Sequence, residues 1–431
     1  MDPALLARLA DGPGRALLES IGPYAADSAL AVSTRLRAAG HDPELVSAAL
    51  AQARLRGLAR DKFGPAADGM LFTADGLEQA TRPEVADRHA ERFVAAGVRQ
   101  VVDLGCGIGS DARAFAAAGL SVQAIELDPV TAAVARANLA DWPDARVTEA
   151  RAETIDVAAV SAQQEASAQQ EASAQQEVRG RHTGLWVDPG RRVTGVRDVS
   201  GRARRVFSLD AISPSWGQVL AWAAQVPATG AKLSPGLPHA AIPAGAEAQW
   251  TSWRGEVLEC AVWWGPLAQV PGRTAAVCRP GASPAIVTEA DVRAEAPLGG
   301  LGDVEPWFYE ADRAVVRAGL SGALPGRPLS FGTGYATGAE PVDLPWVRRY
   351  AVVEAMPLRV KAVRAWLRER GIGQVTVKKR GASVDPQALR RDLASRADGH
   401  ATLVVTTVAA TTVVLVVEPP RPWASGALTN D

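Results

Sequence analysis

The sequence has three cysteines in 431 residues, Cys106, Cys260 and Cys278. They form no CxxC pair and no metal-ligand spacing, which excludes a disulfide scaffold and points to a reducing compartment. The five histidines, His41, His89, His182, His239 and His400, are scattered, and their spacing assembles neither a catalytic triad nor a metal set. Net charge is −1, so the whole chain is not a polycation and any nucleic-acid surface must be local. No basic stretch followed by an apolar core opens the chain, so no signal peptide is expected. The most apolar run, residues 403–417, is shorter than a membrane span and rich in Thr and Val, which reads as strand. The expectation is a cytoplasmic protein with no membrane segment and no metal.

A length of 431 residues exceeds one ordinary core, and 47% hydrophobic with 22% charged residues is the composition of a globular protein. Residues 1–95 are predicted helical, from Leu5, Leu6 and Leu9, then Leu17, Leu18 and Ile21, then Leu45, Ala49 and Ala53 at helical spacing. Asp42-Pro43-Glu44 is a helix start, and 70–76 breaks the pattern. From residue 98 strands and helices alternate: strands over 98–104, 122–127 and 147–150, helices over 110–118 and 130–140. That alternation predicts a parallel sheet with helices on its faces. Residues 161–177 are nearly three copies of Ser-Ala-Gln-Gln-Glu-Ala, a solvated low-complexity insert with too little apolar surface to order itself.

The pattern resumes at Leu185-Trp186-Val187, with 206–209 as the other candidate for the fourth strand. A helix is expected after Ser213-Pro214-Ser215-Trp216, then a strand over 231–233 and a hairpin over 248–264 around Arg254-Gly255-Glu256. Trp250, Trp253, Trp263 and Trp264 in that hairpin read as core or interface residues, and Lys232 as a charged residue satisfied at a strand end. A Gly/Pro-rich segment, 276–345, is expected to link and bridge, with one helix over 310–320. The C-terminal 346–431 form a small α/β domain: strand 350–353, helix 358–370, strand 374–378, helix 386–395 and a hairpin over 402–417. Between Arg359 and Arg396 eleven Lys or Arg stand against three acids, including Lys378, Lys379 and Arg380.

The chemistry concentrates in Asp103-Leu104-Gly105-Cys106-Gly107-Ile108-Gly109-Ser110-Asp111. Glycines at a strand-to-helix turn let backbone approach a ligand, and the free N–H groups of the helix start favour electron-rich atoms. A dinucleotide fingerprint needs glycine at position 110, where this chain has Ser, and no phosphate-binding Lys or Arg accompanies the turn. Glu126 ends the next strand 21 residues after Gly105, where a carboxylate accepts from ribose hydroxyls. Glu153 follows the third strand, where it could accept from an adenine amino group.

These residues, with Leu127-Asp128-Pro129 after Glu126, resemble the class I S-adenosylmethionine-dependent methyltransferases. Residues 101–138 and the preceding Phe72…Ala80-Thr81-Arg82-Pro83-Glu84 look like bacterial relatives of the RNA cap guanine-N2 methyltransferases. The layout resembles bacterial methyltransferases with a C-terminal THUMP-like domain, closely over about 65–270 and more loosely beyond. The fold class implied is α/β. A Rossmann-like, mostly parallel methyltransferase sheet ending in an antiparallel hairpin would occupy 96–275, after the helical 1–95 and before a THUMP-like 346–431. The resemblance implies S-adenosylmethionine as cofactor, with Asp103 near the methionine end, Gly105, Cys106, Gly107, Gly109 and Leu127 lining the cofactor, Glu126 at the ribose and Glu153 at the adenine.

The acceptor is expected over the end of the fourth strand, at Asp188-Pro189-Gly190-Arg191-Arg192. Amino-group methyltransferases usually place Asp/Asn/Ser-Pro-Pro-aromatic there. This chain keeps Asp188-Pro189 but has neither second proline nor aromatic, which argues against base-amino methylation. Asp188 could accept a proton or hydrogen bond of the nucleophile, and Arg191 and Arg192 could hold a phosphate or carboxylate bidentately. Ser213-Pro214-Ser215-Trp216 looks like the amino-methyltransferase tetrad, and also like a helix N-cap with Pro in the first turn. The reading is a methyltransferase acting on RNA, with Lys378, Lys379 and Arg380 as candidate RNA contacts. Alternatives are a small-molecule methyltransferase, or a non-catalytic RNA-binding protein that keeps the cofactor site.

Overall fold

Val98–Leu104 is a strand buried along almost its whole length, VRQVVDL with only Arg99 exposed. A run apolar on both faces needs neighbours on both sides, as in the middle of a parallel sheet. A computed structural model describes residues 2–159, 182–191 and 209–419 and gives the strand those neighbours. The insert 161–177, Arg192 and most of the 206–209 alternative lie outside the described residues, as does the side chain of Arg191.

The chain divides into two compact units, Met1–Leu233 with Val262–Gln269, and Ser234–Ala261 with Val270–Asp431. In the first, β1 (Val98–Leu104), β2 (Ser121–Glu126), β3 (Ala145–Glu149), β4 (His182–Val187) and β5 (Thr229–Leu233) form a parallel sheet in the order β3-β2-β1-β4-β5. Pairing of β4 with β1 settles the fourth strand as His182–Val187. Helices Ser110–Ala117 and Pro129–Asn138 are the crossovers, and Asp128 caps the second through Thr131 N.

Four N-terminal helices, Pro3–Ala10, Gly12–Ile21, Ala29–Ala38 and Pro43–Phe63, precede the sheet. Asp2, Asp11 and Asp42 cap three of them, each with proline in the first turn. Their leucines share one core with Ile108 of the glycine turn and Val134 of the second crossover helix. The helical region thus packs directly on the elements that carry the site.

The pattern-breaking segment at 70–76 has a definite role. Leu71 and Phe72 are buried, and two buried amides pair their backbone. Asn138 accepts from Leu71 N at 2.8 Å and donates to Leu71 O at 3.0 Å and Ile108 O at 2.8 Å. Gln52 accepts from Phe72 N at 2.9 Å and donates to Phe72 O at 2.8 Å. These side chains supply the hydrogen bonds that a sheet or helix supplies elsewhere.

In the second unit the strand Glu247–Trp253 turns at Arg254-Gly255, both at positive φ (52° and 85°), into the strand that starts at Glu256. Trp250 and Trp253 are buried, as is Trp263 in the first unit. The expectation of a bridging segment over 276–345 is corrected here. Gly272–Arg279 pairs parallel with Glu247–Trp253 and antiparallel with Ala282–Thr288. Further along, Trp307–Ala311 and Tyr335–Gly338 belong to a seven-stranded sheet with Arg327–Pro328, Val347–Pro357, Thr411–Val417, Gly399–Val408 and Ile372–Lys379. The helix expected over 310–320 begins instead as the end of strand Trp307–Ala311, and only Arg313–Arg317 is helical, capped by Asp312. Aromatic Trp307, Phe308 and Tyr309 favour the strand, and Phe308 and Tyr309 are fully buried.

The eleven-residue strand Val347–Pro357 pairs with Trp307–Ala311 through its first half and with Thr411–Val417 through its second. The C-terminal sheet is therefore continuous across residue 346, where a domain boundary was expected. Helices Val360–Glu369 and Pro386–Leu393 bury Val363, Leu367, Leu389 and Leu393 against it.

Replacing Asn138 by Leu strands three backbone groups that water cannot reach. At about 1–3 kcal/mol for each unsatisfied group, a loss of at least about 3 kcal/mol is expected, read as a fall in the urea midpoint with unchanged m.

Candidate active site

The site starts from a close approach of backbones. β1 and β4 run parallel, with Leu104 opposite Val187, so Gly105 and Asp188 leave the sheet side by side. Asp188 N donates to Leu104 O at 3.0 Å, while Gly105 N and Cys106 N both donate to Ile125 O of β2. A Cβ on Gly105, whose φ is +90°, would lie 2.6 Å from Asp188 O. Only glycine fits that position. Gly107 and Gly109 also have positive φ, and Gly109 begins the helix Ser110–Ala117.

Glu126, at the end of β2, accepts from Gly107 N at 3.0 Å and from Asp128 N at 2.9 Å. The acid is thereby fixed beside the glycine turn. Leu127 follows it and is 57% exposed. Glu153 stands on a short 3-10 turn past β3, where Ser213 Oγ donates to it at 3.1 Å and Arg151 lies 3.6 Å away. Cys106 is buried and burial pushes its thiol well above its usual pKa, so it serves here as an apolar liner.

The two acceptor-end candidates prove to be neighbours. Gly190–Arg191 pairs antiparallel with Ile212–Ser213, which sets Ser213-Pro214 beside Asp188-Pro189-Gly190. Ser215, accepting from Gln218 N at 3.2 Å, caps the helix Trp216–Gln225, so Pro214 precedes the cap rather than occupying the first turn.

Beneath Asp188 lies a polar network that joins four residues with no assigned role at the sequence level. Lys232, in β5, places Nζ 2.5 Å from Asp188 Oδ2 and donates to Thr81 Oγ1 at 2.9 Å. Thr81 donates to Asp111 Oδ2 at 2.5 Å, and His89 Nδ1 meets Asp111 Oδ1 at 2.8 Å. His89 packs against Trp186, ring centroids 4.4 Å apart. Burial pushes the Asp111 carboxyl up, but the His89 hydrogen bond and charge, Lys232 and Thr81 outweigh it and hold the group below the usual range.

Asp103 is different. It is completely buried, and neither carboxylate oxygen has a partner among the described residues. Burial, followed by the charges of Asp111 and Asp188, drives its pKa well up. An orphaned polar group of this kind beside a glycine cradle fits a bound ligand that supplies the missing hydrogen bonds. The donor set also fits S-adenosylmethionine: open backbone at Gly107, a fixed acid at Glu126 and a buried carboxyl at Asp103 with no hydrogen-bond partner among the described residues. Among the described residues no group of His, Cys, Asp and Glu could hold a metal.

The RNA candidates divide. Lys378 Nζ lies 2.5 Å from Glu310 Oε2, and Arg380 reaches Glu310, Ala311 O and Thr333 O. Both are half-buried within the C-terminal sheet, whereas Lys379 is exposed. Arg191 and Arg192 are not among the described side chains.

Residues 347–419 match the THUMP domain-like family, and residues 2–59 match a domain of unknown function. An uncharacterized S-adenosylmethionine-dependent methyltransferase of Mycobacterium tuberculosis, found in strains CDC 1551 and H37Rv, is 28% identical over 347 residues. That alignment covers 79% of this chain and 85% of the relative. A crystal structure of a Porphyromonas gingivalis W83 protein assigned to the methyltransferases superposes with a TM-score of 0.65 at 20% identity. It covers 88% of this chain and 91% of that one, and shows the shared fold. The chain is an S-adenosylmethionine-dependent methyltransferase whose residues 347–419 match the THUMP domain-like family.

Proposed function

We propose that this methyltransferase acts on RNA, and that Gly105–Gly109, Glu126, Glu153 and Asp103 hold its cofactor. The observation that carries the cofactor assignment is the pairing of Glu126 with Gly107 N, which presents an acid and a glycine turn together at the carboxyl ends of β1 and β2. S-adenosylmethionine supplies an electrophilic methyl carried on a sulfonium. Glu126 would accept from ribose hydroxyls, and Glu153, with Leu127, would face the nucleoside. Asp103, buried and with its pKa driven up, would hydrogen-bond to the methionine end. Asp188 and Pro189 would border the acceptor, with Asp188 taking its proton.

The RNA reading is supported by the THUMP-like match and by charge. Of the eleven cations between Arg359 and Arg396, eight are exposed, Arg359, Lys361, Arg368, Arg370, Lys379, Arg390, Arg391 and Arg396, against the three exposed acids Glu369, Asp385 and Asp392. A local surplus of that size attracts a polyanion, although the whole chain carries a net charge of −1.

Glu126→Ala is expected to weaken S-adenosylhomocysteine binding, measured by calorimetry, by at least about tenfold while circular dichroism stays unchanged. Unchanged affinity would remove Glu126 from the cofactor site. Neutralising Lys379, Arg390 and Arg391 together is expected to weaken binding of total RNA uniformly across sequences. The slope of log K against log salt should fall by about one for each phosphate that is no longer neutralised. A slope that does not move, with methyl transfer to metabolites instead, would replace RNA with a small-molecule acceptor.

A further inference from the structure

Lys232 is a charged side chain at the end of an apolar strand, with 14% of its side-chain surface exposed. Its ammonium is directed at Asp188, 2.5 Å away, with Thr81 accepting from it and Asp111 at 4.0 Å. This arrangement bears on the chemistry of the acceptor. An amine nucleophile gains positive charge as its bond to carbon forms, and it needs a free carboxylate or carbonyl to accept its N–H groups. Here the carboxylate already carries an ammonium. A positive charge beside the nucleophile opposes an amine and favours an oxygen that becomes negative as it loses its proton. The missing second proline and aromatic ring after Asp188-Pro189 also remove the stacking surface that a base amino group would use.

We propose that Lys232 is a positioning residue that commits this site to an oxygen acceptor, and that on RNA this acceptor is a ribose hydroxyl. The inference rests on the methyl-transfer and RNA readings above. The hydroxyl oxygen forms the new bond to the methyl carbon, and the methyl–sulfur bond breaks with its electron pair passing to sulfur. The hydroxyl proton goes to Asp188 and then to solvent. Lys232 fixes the Asp188 carboxylate and lowers the cost of charge on the oxygen. Thr81 holds Lys232, and Asp111 with His89 holds Thr81. Among the described residues, the titratable groups acting on this pair include Lys62, Asp103 and Asp111.

The test uses the full-length protein, unmodified RNA and cofactor labelled in its methyl group. Label in ribose-methylated nucleosides, recovered as alkali-resistant dinucleotides, is the expected result. Label in a base amino group overturns the proposal while leaving RNA methylation standing. Calorimetric cofactor binding with no label in RNA overturns the RNA reading and this proposal with it. Absence of cofactor binding points instead to failure of the cofactor assignment, and overturns the proposal as well.

Lys232→Met is expected to lower turnover by at least about 100-fold while S-adenosylhomocysteine affinity stays within about twofold. Its acidic pH–rate limb should move to higher pH, because a carboxylate deprived of its cation ionises less readily. Lys232→Arg should keep the limb near its original position. A uniform loss with an unmoved limb in both variants would reduce Lys232 to a structural ion-pair partner and overturn its role. Should Lys232→Met fail to fold, the position of the label in the wild-type reaction decides.

Discussion

The candidate site depends on how closely the backbone of β1 approaches that of β4. Gly105 sits where any Cβ would overlap the carbonyl oxygen of Asp188, and its φ lies in the left-handed region. That contact has two consequences. It turns the chain sharply from β1 toward the helix Ser110–Ala117, with Gly105 N and Cys106 N held by Ile125 O, Gly109 N by Cys106 O and Gly107 N by Glu126. It also sets the acidic residue that ends β4 directly beside the turn that follows β1. The glycine turn and the Asp188 segment are thus joined through one backbone contact, so a change that spreads the two strands would disturb both.

The charges beneath this contact are arranged in series. Asp103 is buried with no hydrogen-bond partner among the described residues and its pKa is driven well up, while Asp111 is buried with three partners and its pKa is held below the usual range. Two carboxyl groups eight residues apart in sequence are driven in opposite directions by their surroundings. Both are fully desolvated; what separates them is the His89 hydrogen bond and charge, the Lys232 charge and the Thr81 hydrogen bond at Asp111. His89, Thr81 and Lys232 around Asp111 leave it little freedom, and Lys232 carries the same restraint on to Asp188. A rigid, charge-balanced floor under the acceptor end favours precise positioning over adaptability.

The sequence made the parallel sheet legible because strands buried on both faces are continuous apolar runs, and β1 spans the residues expected of it, Val98–Leu104. The Arg254-Gly255 hairpin was legible because positive φ at both turn positions leaves a local signature. Residues 276–345 were not, because their strands lie among glycines and prolines and alternate weakly. At 310–320, Ala and Val at helical spacing hid a strand end made by Trp307, Phe308 and Tyr309 upstream. At the site, the glycines and acids at strand ends could be read from spacing alone. The network could not, since Lys232 reaches Thr81 across 151 residues and no periodicity reports such a pairing. The only local sign was a lysine in an apolar strand.

The same distinction applies to the basic segment of the C-terminal domain. Counting cations along residues 359–396 treats all eleven as surface charge. Folding withdraws some of them. Glu310 is buried, and burial pushes its carboxyl up, but Lys378, Arg380 and the Tyr350 hydroxyl overcome that and hold it below the usual range. Lys378 and Arg380 therefore belong to an internal cluster, Arg380 lying over the Tyr335 ring at 5.1 Å, and Arg364 donates to Asp392 O. Breaking the Glu310 cluster would leave a buried charge without its partners, which makes those cations poor candidates to leave for a phosphate. The electrostatic pull on a polyanion falls instead to the exposed residues of the two helices and to Lys379. A patch of that kind, built from long side chains whose heads stay in water, binds the backbone of a nucleic acid without reading its bases.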